Sequence, residues 1–337
     1  MNLTDMAGTG RNTNEGEFAL IDRVLKPLAA DTPAALGLTD DAAVLTPAKG
    51  KDLVLTKDAM VAGVHFREAD LPGDIARKLL RVNLSDLAAM GATPVGYLLA
   101  TFWPEDLPHT WITDFAEGLA EDQEEFDVGL LGGDTVRTSG PLSLSLTAIG
   151  SVAEGKALRR NGAGDGDLIV VSGTIGDGAL GLRALNGQLP DIDPTSEEYL
   201  EDRYQLPEPR MALGRALVGK ATSCIDISDG LIADIGHITE ESGLGAVIEW
   251  EKVPLSEAAQ AAVQSEPDLI ATVLTGGDDY ELAFTLPAER RDDLVKLAKE
   301  GGVPLTIIGE MVAGEGVRVR QADGNDMPLS VRGWQHF

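Results

Sequence analysis

The sequence predicts an α/β protein of the α+β type in two domains, and three observations lead there. Strand-like apolar runs alternate with amphipathic segments along nearly the whole chain. At 337 residues the chain exceeds the size at which a single core usually stops growing. Its 39 glycines and 17 prolines punctuate short elements, while 43% hydrophobic content is enough for proper cores.

Taken in order, residues 1–14 lack the basic start and apolar core of a signal peptide and read as a flexible lead-in. "EFALIDRVLKPLAA" reads as an amphipathic helix with Phe18, Ile21, Leu25 and Leu28 on one face. "AAVLTPAKGKDLVLTKDAMV" reads as a hairpin of two strands around Lys49-Gly50-Lys51. "DIARKLLRVNLSDLAAMGA" is a helix closed by Gly91, "PVGYLLATFW" a buried strand, and "TDFAEGLAEDQEEFD" a second helix. "DVGLLGGDTV" is an apolar strand that ends in Gly132-Gly133-Asp134, and "GPLSLSLTAIGSVAEG" alternates as a half-buried strand should.

Near Gly155 the turn-rich "KALRRNGAGDGD" marks the domain boundary, giving a first domain over 15–153 and a second over 154–337. The second opens with the strand "DLIVVSG" and the helix "TIGDGALGLRALNG", followed by "PDIDPTSEEYLEDRYQLPEP", a polar excursion. "RMALGRALVGKA", "DGLIADIGHITEESG" and "AERRDDLVKLAKEGG" are helices, and "AVIEWE", "YELAFTL" and "PLTIIGEMV" strands. "TVLTGGDDYEL" repeats the earlier pattern, a strand-like run into Gly276-Gly277-Asp278-Asp279. No period of about 20 to 50 residues marks a solenoid.

With 27 Lys and Arg against 55 Asp and Glu, the formal charge is −28, which disfavours nucleic acid and anionic membranes as partners. A protein this acidic that handles phosphates needs divalent cations between the two sets of charges. Cys224 is the sole cysteine, so an internal disulfide and a cysteine-based zinc site are both excluded. His65, His109, His237 and His336 show no pairing at ligand spacing, and no apolar run approaches the roughly 18 to 20 residues of a membrane span. The expected location is the cytoplasm.

Two familiar motifs fail on inspection. "GRALVGKA" has P-loop spacing, but Ala221 stands where a hydroxyl must reach magnesium, and helical periodicity precedes it. "GDGALG" follows a strand, yet no strand-end acid appears about 20 residues later, and close helix packing on a turn accounts for its glycines. The carboxylates are more informative. Asp41, Asp58, Asp86, Asp134, Asp226, Asp229, Asp278 and Asp279 could each be a cap or a surface acid. Five of them stand where an apolar run stops, the place where α/β proteins gather ligand groups, and hard oxygen donors of this kind suit magnesium. Asp86 sits inside a helical pattern among Leu84, Leu87 and Met90, so it is either on an exposed face or partnered.

"GLTDDAAVL", "LTKDAMVAGVHF", "VNLSDLAAMGATP", "LLGGDTVR", "DISDGLIADIGHI", "LTGGDDYELAF" and "GWQHF" resemble, in order, the motifs of the thiamine-monophosphate kinase family. The resemblance spans 15–337. That family shares a superfamily with aminoimidazole ribonucleotide synthetase and selenophosphate synthetase. It implies an N-terminal sheet, backed by helices, that pairs with a second subunit in a homodimer and binds ATP and magnesium. It also implies a C-terminal α/β domain, with the site in the cleft involving both. The implied reaction is ATP plus thiamine phosphate giving thiamine diphosphate and ADP, with several Mg2+ ions.

Position by position, the resemblance makes Asp41, Thr56, Asp58, Asp86, Asp134, Asp226 and Asp229 magnesium ligands. Gly133, Asp134, Arg160 and Ser228 become contacts to ATP, and His65, Asp278 and Trp334 contacts to thiamine phosphate. Two departures stand out: Lys57 in Thr56-Lys57-Asp58, where the family reads Ser-Thr-Asp, and Asp278, where Glu is common. A charged lysine cannot ligate magnesium through its side chain, so its carbonyl serves or its ammonium reaches a phosphate.

No catalytic side chain is implied. The acceptor phosphate, with a second pKa near about 6, is already largely ionised and needs no general base. The obstacle is bringing two anions together, and the expectation is direct in-line transfer without a phosphoenzyme. The superfamily rivals fit less well: selenophosphate synthetase wants a reactive N-terminal Cys, the hydrogenase-maturation relative a C-terminal one, and aminoimidazole ribonucleotide synthetase a Gly-Val-Gly-Thr-Lys loop where "AMVAGVHF" stands. A dehydrogenase using "GDGALG" and a nucleotide sensor without turnover are the alternatives of other classes.

Overall fold

The computed structural model describes residues 17–328, so the lead-in at 1–14 and Trp334 lie outside the described residues. Short α1 (Glu17–Leu20) runs into a π turn at Ile21–Leu25 and 3-10 turns at Pro27–Ala29 and Pro33–Leu38. The single helix expected here is thus broken. Pro27 and Pro33 each open a new turn, and the buried stripe is Leu20, Val24 and Leu28, with Ile21 and Leu25 only half-buried.

β1 (Lys51–Val61), α2 (Pro72–Ala89), β2 (Thr93–Pro104), α3 (His109–Phe126), β3 (Leu130–Thr138) and β4 (Ser143–Ala153) complete the N-terminal half. The strand order is β1-β4-β2-β3, antiparallel except for β2 and β3, which α3 connects. The expected hairpin does not form: residues 43–48 are irregular, and β1 instead takes β4 as its partner over eleven residue pairs. That long partner is what a lone edge strand needs. Gly132 and Gly133 lie inside β3, not beyond its end, and a Cβ on Gly133 would stand 1.8 Å from the carbonyl oxygen of Leu99 on β2. The glycine is required by the close approach of two strands.

One face of this sheet is covered by α2 and α3 and carries Val54, Met60, Tyr97 and Leu99. The opposite face exposes Leu53, Leu55, Leu98, Phe102 and Val136. Asp134 pairs with Ala100, and Leu98 and Phe102 alternate with the inward Tyr97, Leu99 and Trp103, so Asp134 belongs to the outer face.

The C-terminal half contains β5 (Leu168–Ser172), α4 (Asp177–Leu185), α5 (Pro194–Gln205), α6 (Met211–Leu217), β6 (Ser223–Asp226) and α7 (Leu231–Ser242). It continues with β7 (Gly245–Glu249), α8 (Glu257–Ser265), α9 (Leu269–Thr275), β8 (Leu282–Leu286), α10 (Asp293–Gly301), β9 (Leu305–Val312) and β10 (Gly316–Arg320). The six strands are ordered β10-β7-β9-β5-β8-β6. The polar excursion contains α5, whose buried side chains are only Leu200 and Tyr204, too few to write a periodic pattern. "TVLT" belongs to α9, so the second glycine pair follows a helix; β-branched residues there pack on a helix instead of a sheet.

α2 ties the halves together. One hydrophobic core runs from the N-terminal sheet through α2 and α6 to one face of the second sheet, and a second core fills the other face. A Cβ on Gly214 would stand 2.1 Å from the Ala88 carbonyl oxygen; the P-loop-like segment begins in α6, whose glycine admits α2, and ends in a turn.

Candidate functional site

α2 carries its candidate site side chains on more than one face, and therefore reaches both halves. Asp86, half-buried, accepts a hydrogen bond from Thr56 Oγ1 on β1. One residue earlier, Ser85 Oγ donates to Asp226 Oδ2 at the end of β6, 2.8 Å away. Asn83 Oδ1 accepts from the Asp58 backbone N–H at 3.2 Å, while its amide donates to Leu79 O one turn back. Thr56, Asp58, Asp86 and Asp226 are therefore gathered about one helix although they lie far apart in sequence.

Their electrostatics are those of charges crowded together. Burial, and then Asp86, push the Asp58 carboxyl up to about 6. Burial also raises Asp86, against the lowering pull of the Thr56 hydrogen bond and of Arg160. Asp226 is raised well above the ordinary carboxylate range by burial first and then by Asp86 and Asp234, with Asp58 adding to them. Each effect penalises the ionised form, and a bound cation would reverse it.

Asp234, which the sequence offered only as part of a helix, organises the neighbouring turn. From the first turn of α7 it accepts the N–H groups of Ser228, Asp229 and Gly230, each at 3.1 Å. Burial and the adjacent Asp229 push it up to about 7, against those three donors. Gly230 holds φ +117, and a Cβ there would stand 2.7 Å from Thr275 O. Ser228 and Asp229 are thereby fixed on a rigid turn beside the Asp226 carboxylate.

The 276–281 loop is clamped onto the same turn. Asp278 N–H donates to Ser228 O at 3.0 Å and Tyr280 N–H to Ile227 O at 2.8 Å. Asp278 and Tyr280 both adopt positive φ, +67 and +51, flanking Asp279, which is fully buried. Asp279 accepts from Gly176 and Gly178 N–H at 2.7 and 3.0 Å, at the start of α4. The "GDGALG" glycines thus do form an anion cradle, and the chain's own carboxylate fills it. Glu281 is buried as well, held by Ser172, Arg203 and Arg210. With 279 and 281 inward, Asp278 remains about one-third exposed, 3.1 Å from Lys78 Nζ. The Tyr280 hydroxyl, 3.5 Å from Asp278, is raised by burial and by Asp278, Asp58, Asp226 and Asp86, so it stays a neutral donor.

His65 is half-buried, its Nδ1 accepting from Val61 N–H at 3.1 Å and its carbonyl from Tyr204 OH at 3.2 Å. Arg160 is exposed but acts on Asp86. Lys57 is exposed and donates to Thr147 Oγ1 at 3.4 Å across the outer face of the sheet. Asp41 and Asp134 are exposed, and neither is among the charges that act on Asp58 or Asp86. Among the described residues no three His, Cys, Asp or Glu side chains are arranged to hold a metal. The structure brings together Thr56, Asp58, Asp86, Asp226, Ser228, Asp229 and Asp278, and carries Asp41 and Asp134 on exposed segments. Sequence reasoning missed Asp234, Tyr280 and Lys78, none of which ends an apolar run.

Comparison with known proteins finds relatives over nearly the whole chain. Residues 39–152 match the AIR synthase related protein N-terminal domain, and residues 164–321 its C-terminal domain. A thiamine-monophosphate kinase of Caulobacter vibrioides is 46% identical over 323 residues, covering 95% of this chain and 90% of the relative. The crystal structure of a thiamine-monophosphate kinase from Stenotrophomonas maltophilia K279a superimposes with a TM-score of 0.82 at 43% identity, covering 93% of this chain and 98% of that one. A solved structure described as AaThiL complexed with AMPPCP and TMP gives a TM-score of 0.76 at 32% identity, with 98% and 100% covered.

Proposed function

Because this chain belongs to the AIR synthase related family and, within it, to the thiamine-monophosphate kinases, we infer that it transfers the γ-phosphate of ATP to thiamine phosphate, giving thiamine diphosphate and ADP. The observation that carries this reading is the meeting of Thr56, Asp58 and Asp86 from one half with Asp226 and the Ser228–Asp229 turn from the other. A relative of the same fold in complex with the ATP analogue AMPPCP and with TMP supports the pair of substrates.

The donor set fits magnesium. It is made of hard carboxylate and hydroxyl oxygens, the carboxylates among them disfavoured from ionising by burial first and by crowding second, and magnesium takes one or two carboxylates at a time, leaving positions for water and phosphate oxygens. Asp58, Asp86, Asp226 and Asp229, with Thr56, would hold the ions, and Asp41 and Asp134 would join from the exposed segments. When bound, Mg2+ supplies the charge that lets two phosphate groups approach. The chain's own part is positional. Asp234 fixes the Ser228–Asp229 turn, so that Ser228, with Arg160 and Gly133, addresses ATP. The clamped 276–281 loop offers Asp278, with His65 and Trp334, to the acceptor. No side chain acts as general base, and transfer is direct and in line.

The division at 153/154 gives an N-terminal ATP- and magnesium-binding part and a C-terminal part, supported by β4 ending at Ala153 and by the two family regions flanking it. A second copy of this chain is the partner for the outer sheet face, where Leu53, Leu55, Leu98, Phe102 and Val136 are exposed without cover. ATP as co-substrate favours the cytoplasm.

The test is an assay of purified protein with Mg-ATP and thiamine phosphate, with detection of thiamine diphosphate. Product formed with a sequential rate law is the expected outcome. ADP without thiamine diphosphate sinks the acceptor assignment, and a phosphorylated protein intermediate sinks direct transfer.

A further inference from the structure

Lys78 is a buried lysine in the second turn of α2, 3% exposed, where packing alone is served by Leu or Met. Its ammonium lies 3.4 Å from the centre of the Tyr204 ring and 3.1 Å from Asp278 Oδ1. Among the described residues Nζ makes no aligned hydrogen bond, so this is an ion pair and a ring contact and nothing more. Burying an ammonium is costly, and a buried ion pair can commonly be replaced by apolar side chains without loss of stability. The fold therefore has little use for this charge, while Asp278 has a specific one. Asp278 is fixed from behind: its φ is +67, its N–H is held by Ser228 O, and the next carboxylate is locked in the α4 cradle. Only its side-chain torsions stay open, and Lys78, with the Tyr280 hydroxyl 3.5 Å from the same oxygen, closes them while one-third of the side chain stays exposed. Tyr204, under the ammonium, donates a hydrogen bond from its hydroxyl to the carbonyl oxygen of His65.

We propose that Lys78 is the positioning residue of the acceptor subsite, fixing the Asp278 carboxylate and, through Tyr204, its spacing from His65. The proposal rests on the assignment of Asp278 and His65 to thiamine phosphate. Lys78 acts through Asp278 and does not itself meet the substrate. It also joins the halves, since Lys78 belongs to α2 and both its partners to the C-terminal half.

The experiment is steady-state kinetics of the full chain with Mg-ATP and thiamine phosphate on the wild type, Lys78→Met, Lys78→Gln, Asp278→Asn and Lys78→Met/Asp278→Asn. Lys78→Met should raise KM for thiamine phosphate by about tenfold, the scale of a lost charge-assisted contact, while kcat and KM for ATP stay within about twofold. In the Asp278→Asn background the same change should add nothing, because the group it acts through is gone. Lys78→Gln, which keeps a donor of similar reach, should fall between and gives the same comparison should Lys78→Met not fold. An unmoved KM for thiamine phosphate, an effect that persists in full beside Asp278→Asn, or equal losses for both substrates overturns the proposal. A wild type that makes no thiamine diphosphate overturns instead the functional reading beneath it.

Discussion

Ser85 Oγ and Asp226 Oδ2 stand 2.8 Å apart, and across that bond the N-terminal half touches the last residue of β6 in the C-terminal half. The next residue, Asp86, is bound to Thr56 on β1. Consecutive helix positions point about 100° apart, so one turn of α2 serves both sheets. Asp86 and Asp226 are thereby registered against each other by a single helix.

Ser85→Ala should leave the fold intact, because it removes a single atom whose one hydrogen-bond partner among the described residues is Asp226. It should raise the Mg2+ concentration needed for half-maximal activity by about tenfold, as the removal of a group orienting a ligand does. A magnesium titration of activity checks this, and an unchanged midpoint counts against it.

Asp58 at about 6 and Asp234 at about 7 both sit above the ordinary 3.8, each raised first by burial. Between roughly pH 4 and 7 the folded chain thus holds protons that the unfolded chain has released, so stability falls as pH rises through that window. Without divalent cations, Tm should rise by at least about 2 °C on going from pH 8 to 5.5, and Mg2+ should flatten the slope. Asp58→Asn should lose part of the slope, which separates this effect from the general repulsion of an acidic surface. A Tm in chelator that climbs with pH contradicts the assignment.

Asp279→Ala leaves the N–H groups of Gly176 and Gly178 buried without their acceptor. The expected loss is about 2 to 4 kcal/mol in urea unfolding, and Asp279→Asn, which keeps one acceptor oxygen, should lose less. Equal stability of all three forms would falsify the cradle as a stabilising contact.

Gly133→Ala drives a Cβ to 1.8 Å from Leu99 O, a backbone atom that cannot step aside without parting β2 from β3. The variant should be destabilised by about 3 kcal/mol or more, seen as a lower urea midpoint before any nucleotide is added. Normal stability with a raised KM for ATP would instead make the glycine a matter of nucleotide approach alone.

What was legible in the sequence followed from burial. α2 and β5 write their positions in apolar residues, and the aspartates that gather at the joint could be picked out because they interrupt such runs. α5 escaped because only Leu200 and Tyr204 of its twelve residues are buried, and α9 because Thr and Val at its end imitate a strand. The strand expected before β1 failed for the opposite reason: Val44 is 64% exposed, so among the described residues its apolar pattern has no core to face. Lys78 was hidden because a lysine on an amphipathic helix reads as solvent-facing, and only the packing of α5 reveals that it is not. The pairing of Asp226 with Ser85 spans 141 positions and leaves no local trace.

The cradle at Gly176 and Gly178 has one more consequence, for the enzyme among its own reactants. Nucleotides, orthophosphate and thiamine esters all carry the group that such a nest of N–H donors captures. With Asp279 permanently seated in it, the nest is withdrawn from competition. An anion arriving there would have to displace a carboxylate that the fold itself supplies, so this nest does not draw phosphate groups away from the joint between the halves.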